Sequence, residues 1–299
     1  MWDKRLRDKI KEIFPPSDCL PEHVYHYTKI ENLEKIIRSQ VLWAMDRTSM
    51  KDRSDHTFGI DECLNAIDGW CPEDVDSCRE LADEIKEKLG TYRRELANSP
   101  FNFSVSFTDK RDHARHWEEY GEVSIGFKTM DLTNHKNFYT TDAKIVAPNL
   151  LPSRVHYRGT QGKVINGIFD RGLEVSKNIG YEVESNMRPP IELVSRFIAF
   201  ELDRISRQNL KSDCYSWESE WKWTPNVSSE EFVKSTDARN YIEMNFNPKS
   251  IVEVVLSSRA EFSKLHSYFR GVLDASGLNQ VPILASLESK VVFRHGDGL

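Results

Sequence analysis

The chain has 299 residues, 39% of them hydrophobic and 11% aromatic, which is enough apolar side chain for one large domain or two small ones. A formal net charge of -6 argues against a protein that binds nucleic acid through its overall field, while leaving room for a local basic patch. Its five cysteines, an odd number without a Cys-x-x-Cys pair, fit free thiols in a reducing compartment rather than a disulfide framework.

The first residues hold no apolar h-region and no run of about 18 apolar residues occurs, so a cytoplasmic protein without a membrane span is expected. Residues 2–14 place Trp2, Leu6, Ile10 and Ile13 on one helical face, and Pro15-Pro16 stops that helix, so residues 1–20 read as a lid or brace packed on the domain, with a partner-binding amphipathic helix as the alternative. Val24-Tyr25-His26-Tyr27-Thr28 is aromatic and β-branched and reads as a short strand. Apolar residues at 30, 33, 36 and 37 give one face of a following helix, and Val41 to Trp43 reads as a second strand. Thr28 and Glu31 stand at capping-box spacing, which sets His26 near a strand end beside the amides of a helix N-terminus.

Met45 to Gly59 is charged and without period and reads as a loop; apolar residues from Val75 to Leu96 then mark a long amphipathic helix within a helical insertion spanning 60–98. Phe103 to Phe107 alternates apolar residues with Ser104 and Ser106, as a half-buried strand does. Asp112 to Tyr120 reads as a helix and Val123 to Phe127 as another strand. His113 and His116 have a spacing that could share a metal with Glu119 or Asp112, but an exposed polar helix face gives the same spacing and no third anchored ligand is evident, so a solvated face is the simpler reading.

Ala143 to Ala147 and Arg154 to Tyr157 are strand candidates. The five glycines between 159 and 180 form neither a P-loop nor a dinucleotide fingerprint. Pro189-Pro190 opens a helix with Leu193, Val194, Phe197, Ile198, Leu202 and Ile205 on its core face. Ile251 to Leu256 suits a buried strand, Ala260 to Ala275 a helix, and Val281 to Leu284 a closing strand, with a frayed tail from Arg294. Without repeats or a linker-like tract, a single α+β domain over 1–299 is expected.

Trp217-Glu218-Ser219-Glu220-Trp221-Lys222-Trp223 alternates aromatic and polar residues, so as a strand it would gather the tryptophans on one face and Glu218 with Glu220 on the other. Two carboxylates that close disfavour joint ionisation if water is excluded.

These blocks together resemble the ADP-ribosyltransferase-like superfamily. The first signature is the strand with His26 and Thr28, the helix reading Asn32-Leu33-x-x-Ile36-Ile37 and the strand after it. The match extends to an uncharacterised bacterial domain family with the same Tyr-His-Tyr-Thr opening, whose later blocks look similar to Phe103–Phe107, to Trp117-x-x-Tyr120-Gly121 with Val123–Phe127, and to Lys211 followed by Trp217–Trp221. The resemblance implies a split, mixed or antiparallel β-sheet core with helical insertions. It also implies NAD as substrate, with His26 and Thr28 on the nicotinamide ribose, in one cleft with Glu218 and Glu220. In that reading Glu220 contacts the ribose, Glu218 serves the acceptor, Ser104 and Ser106 complete the cofactor site and no metal is used; Trp117 and Tyr120 either give the nicotinamide or adenine ring an aromatic face or pack in the core. The implied activity is ADP-ribosyl transfer to a protein or nucleic acid, in the setting of a bacterial toxin or anti-phage defence effector with a partner protein or antitoxin. The alternative is a non-catalytic nucleotide- or partner-binding module that keeps the fold.

Overall fold

The structure, a computed structural model, describes residues 20–47, 55–70, 76–98, 103–132, 145–146, 152–157, 161–170, 195–196, 198–199, 202, 210–227, 233–236, 239–257 and 261–288. The expected N-terminal helix, the C-terminal tail and most of the 159–205 stretch lie outside them. The chain gathers into two compact units, one of residues 1–19, 50–102 and 155–216, the other of residues 20–49, 103–154 and 217–299. The helical insertion falls within the first of these and the motif-bearing strands within the second.

The second unit is a mixed sheet with helices. β1 (His23–Thr28) leads into α1 (Ile30–Ser39), which buries Leu33 and Ile37. Gln40 turns the chain in the left-handed conformation into β2 (Val41–Asp46). Then come β3 (Phe103–Thr108), α4 (Ala114–Tyr120) and β4 (Val123–Lys128). Of the later strands, β5 (Ile145–Val146) pairs with β10 (Asn226–Val227), and β6 (Ser153–Arg154) pairs with β9 (Glu220–Trp223). β11 (Lys234–Ser235), β12 (Asn240–Asn245), β13 (Ile251–Leu256), α6 (Phe262–Ala275) and β14 (Ile283–Ala285) complete the unit. The main order is β11-β12-β2-β3-β1-β4-β13-β14, antiparallel except for the β13–β14 pair.

β3 is shared by two leaves: Phe103 and Ser104 pair with β2, Val105 to Thr108 pair with β9, and Thr108 alone pairs with β1 at Tyr25. Val24, Val105, Phe107, Ile125, Phe127 and Val254 are among the buried side chains of this unit. Burial of about 25 cal/mol per Å2 of apolar surface makes such layers the main source of its stability. α+β architecture with a mixed sheet therefore stands as expected.

In the first unit, α2 (Asp55–Trp70) packs on α3 (Asp76–Asn98), with an α5 helix at 161–170 and helical residues at 195–196, 198–199 and 202. Cys63, Ile67, Leu81, Ile85, Leu89, Ile165, Phe169, Ile198 and Leu202 form its core. β7 (His156–Tyr157) and β8 (Leu210–Lys211) pair in parallel. Residues 55–59 are helical, not loop, because Ile60, Cys63 and Ile67 supply a buried face that the surrounding glycines and acids hide in the sequence. Among the described residues no helix is long and apolar enough to cross a membrane.

Candidate functional site

The histidine strand does not carry the expected cap. Lys29 occupies the N-cap of α1 and makes no side-chain cap bond, while the Thr28 hydroxyl accepts from Asn32 Nδ2 at 3.2 Å. Asn32 offers a donor one turn into the helix, and that bond takes Thr28 out of the capping box. Thr28 is also held from outside, since Gly121, at φ +124°, lies so close that a Cβ there would sit 2.6 Å from the Thr28 carbonyl oxygen. His26 is half-buried and its Nδ1 donates to the Ser106 carbonyl at 3.0 Å. That bond lies where β1 and β3 diverge after a single bridge. Burial lowers the His26 pKa below its ordinary value and the Ser106 bond partly opposes this, so the ring is neutral near pH 7.

Three motif strands lie side by side, in the order β9-β3-β1. Tyr25 faces Thr108 and Thr108 faces Glu220 in antiparallel register, so these three side chains share one face of the sheet. Alternation puts His26 and Thr28 on the other face, where the His26 ring meets Phe107 edge-on with centroids 5.9 Å apart. The expected common cleft of His26 and Thr28 with Glu220 is thus not what the registers give. Ser104 and Ser106 lie on the Glu220 face. Ser104 is buried with its hydroxyl unpaired, Ser106 is exposed, and Ser106 lies opposite Lys222.

The acidic segment also departs from a plain strand. Asp213–Glu218 forms a 3-10 turn, Ser219 is left-handed at φ +47°, and β9 begins only at Glu220. Glu218 and Glu220 are both buried, yet the left-handed residue between them removes the two-residue alternation that would have aligned them. Trp221 and Trp223 share a strand face; Trp217 is outside the strand. The Glu220 carboxylate stands 3.7 Å from the amine of Lys222, and both side chains are almost wholly buried. Lys222, to which the sequence alone assigns no role, is thereby a member of the site.

Glu218 is held more tightly. Tyr120 donates from its phenol to Glu218 Oε1 at 2.6 Å, and the Glu218 carbonyl accepts from Thr108 Oγ1 at 2.7 Å and from His116 Nε2 at 3.2 Å. Trp217 stacks with Tyr120 at 6.3 Å and with His113 at 6.2 Å, and the Arg115 guanidinium lies 4.1 Å from its ring centre. Tyr120 is 42% exposed, so this cluster reaches the surface. Trp117 does not belong to it as a ligand platform. It is buried against Tyr27 with centroids 4.7 Å apart and donates to Asp112 Oδ1 at 2.8 Å.

His116 is not on a solvated face as the sequence suggested. It is 2% exposed, stacked on Tyr27 at 4.8 Å, and burial followed by the neighbouring His113 pushes its pKa down to about 4. α4 turns this residue inward because its other buried member, Trp117, is adjacent and the helix is only two turns long. No group of three or more metal-ligating side chains occurs among the described residues. A shallow depression over Arg79, Glu80, Asp83, Glu84 and Glu87 of α3 is lined by one charged helix face and offers no converging groups.

No protein-family model, curated protein or solved structure matches the chain.

Proposed function

We propose that the second unit is a nucleotide-binding module of the ADP-ribosyltransferase-like kind, with NAD as its ligand, and that it binds without turning NAD over. The observation that carries this reading is the division of the motif residues between the two sheet faces. His26 and Thr28 sit on one, and Glu220 sits on the other with its charge countered by Lys222. Cleavage of the nicotinamide bond develops positive charge on the ribose, and a carboxylate accelerates it only by facing that carbon. Adjacency of β1, β3 and β9 supports the resemblance on which NAD rests.

A second reading, ADP-ribosyl transfer to a protein or nucleic acid, is favoured by one contact. The Glu218 carboxylate is bound by a phenol that is itself accessible, so Glu218 rather than Glu220 would be the working acid. The toxin or defence setting, with its partner protein or antitoxin, goes with this second reading alone.

Calorimetric titration of the purified protein with NAD, beside an assay of nicotinamide release with and without lysate as acceptor, separates the two. The expected result is NAD binding that His26→Ala weakens, with no nicotinamide released. Release that Glu218→Gln abolishes would establish the transferase reading instead. Absence of NAD binding would remove both.

A further inference from the structure

His113 and His116 approach through their Nδ1 atoms at 3.0 Å, and His116 Nε2 reaches the Glu218 carbonyl at 3.2 Å. A carbonyl oxygen can only accept, so His116 Nε2 carries the hydrogen. In the neutral ring His116 Nδ1 is then a lone pair, and the hydrogen between the two rings belongs to His113 Nδ1. His113 Nε2 is left as a lone pair, and among the described residues no protein group donates to it. We infer that His113 and His116 form a relay of one fixed direction, in which His116 positions the Glu218 turn and His113 Nε2 is the proton-accepting end beside Trp217.

The geometry supports a positioning role at the inner end. The Glu218 carbonyl takes two donors, from Thr108 and His116, immediately before the left-handed Ser219, and these hold a backbone shape that serine adopts only under constraint. The same turn sets the Glu218 carboxylate against Tyr120. At the outer end, His113 is the half-buried N-cap residue of α4, with its ring stacked on Trp217. Tyr27 of β1, Arg115 and Tyr120 of α4, Asp109 ahead of α4, and Glu218 and Glu220 of the acidic segment surround the pair. One added proton on His113 Nε2 leaves every bond of the relay intact, whereas a proton on His116 Nδ1 breaks the link between the rings. The inference goes beyond NAD recognition and holds whether or not NAD is the ligand.

Long-range proton–nitrogen NMR of the wild-type imidazoles at neutral pH tests the direction. His116 should show a protonated Nε2 and a bare Nδ1, and His113 the reverse. Acidification should place the first proton on His113 Nε2 while the His116 pattern persists. Opposite tautomers, or a first proton on His116, would overturn the relay. The positioning role is read from the Tyr120 ring resonances, assigned with Tyr120→Phe. His116→Leu should shift them and His116→Gln, which keeps a donor, should restore them. Tyr120 resonances unmoved in His116→Leu would show that His116 does not position the turn.

Discussion

Lys222 and Glu220 bear the strongest stability prediction. Their charges stand 3.7 Å apart with side chains 1% and 7% exposed. At an effective dielectric of about 20 this separation is worth about 4.5 kcal/mol of gross attraction, most of it offset by the cost of drying both groups. The net value of the pair is therefore small, but the value of not breaking it is large. Lys222→Met should cost about 3–5 kcal/mol, because the buried Glu220 carboxylate loses the ammonium that stands 3.7 Å from it. Glu220→Gln in the same background should recover most of that loss, leaving the double variant within about 1 kcal/mol of wild type. Urea unfolding of the wild type, both single variants and the double variant, followed by tryptophan fluorescence, gives the coupling energy directly. Additive losses in the double variant, with a coupling below about 0.5 kcal/mol, would refute the reasoning and return Glu220 to the role of an independent carboxylate.

Gly121→Ala should lose about 3 kcal/mol, combining the strain of a left-handed alanine with displacement of the Thr28–Lys29 backbone; a urea midpoint lowered by less than about 0.3 M would show that the loop simply gives way. Burial alone would raise the Asp112 pKa, but donors from Ser286, Leu287, Trp117 and Glu288 outweigh it and hold it below the ordinary 3.8. That stability is present above pH 3.8 and is lost as pH falls through the lower folded value. Melting temperatures across acid pH should therefore fall more steeply in wild type than in Asp112→Asn, and parallel curves would rule out the linkage.

Much of the framework was legible because its signals are local. The β1–α1–β2 unit, β3, β4 and β13 each show their period in a few consecutive residues, and the structure places all of them near the expected positions. β12 was not read, since only Ile242 and Met244 are buried there and asparagines at both ends are poor strand formers. The site was less legible. Which face His26 shares depends on the register of β3, and that register is set by β9, more than a hundred residues away in sequence. The Trp-Glu alternation at 217–223 imitates a continuous strand, and nothing in the chain announces that Ser219 turns left-handed. His113 and His116 were noticed for their spacing, but their meaning lies in the carbonyl of Glu218, which sequence does not reveal.

The double use of β3 has a consequence for how the protein is made. β3 is complete at Thr108, but its partner β9 ends at Trp223, and β2 must wait until Asn245 for β12. At about 5–20 residues per second, a ribosome takes roughly 6–23 seconds to travel from the first of these strands to β9. Throughout that interval a nascent strand with Phe103, Val105 and Phe107 on one side presents an edge that β9 has yet to cover, and an uncovered edge is a template for pairing with another chain.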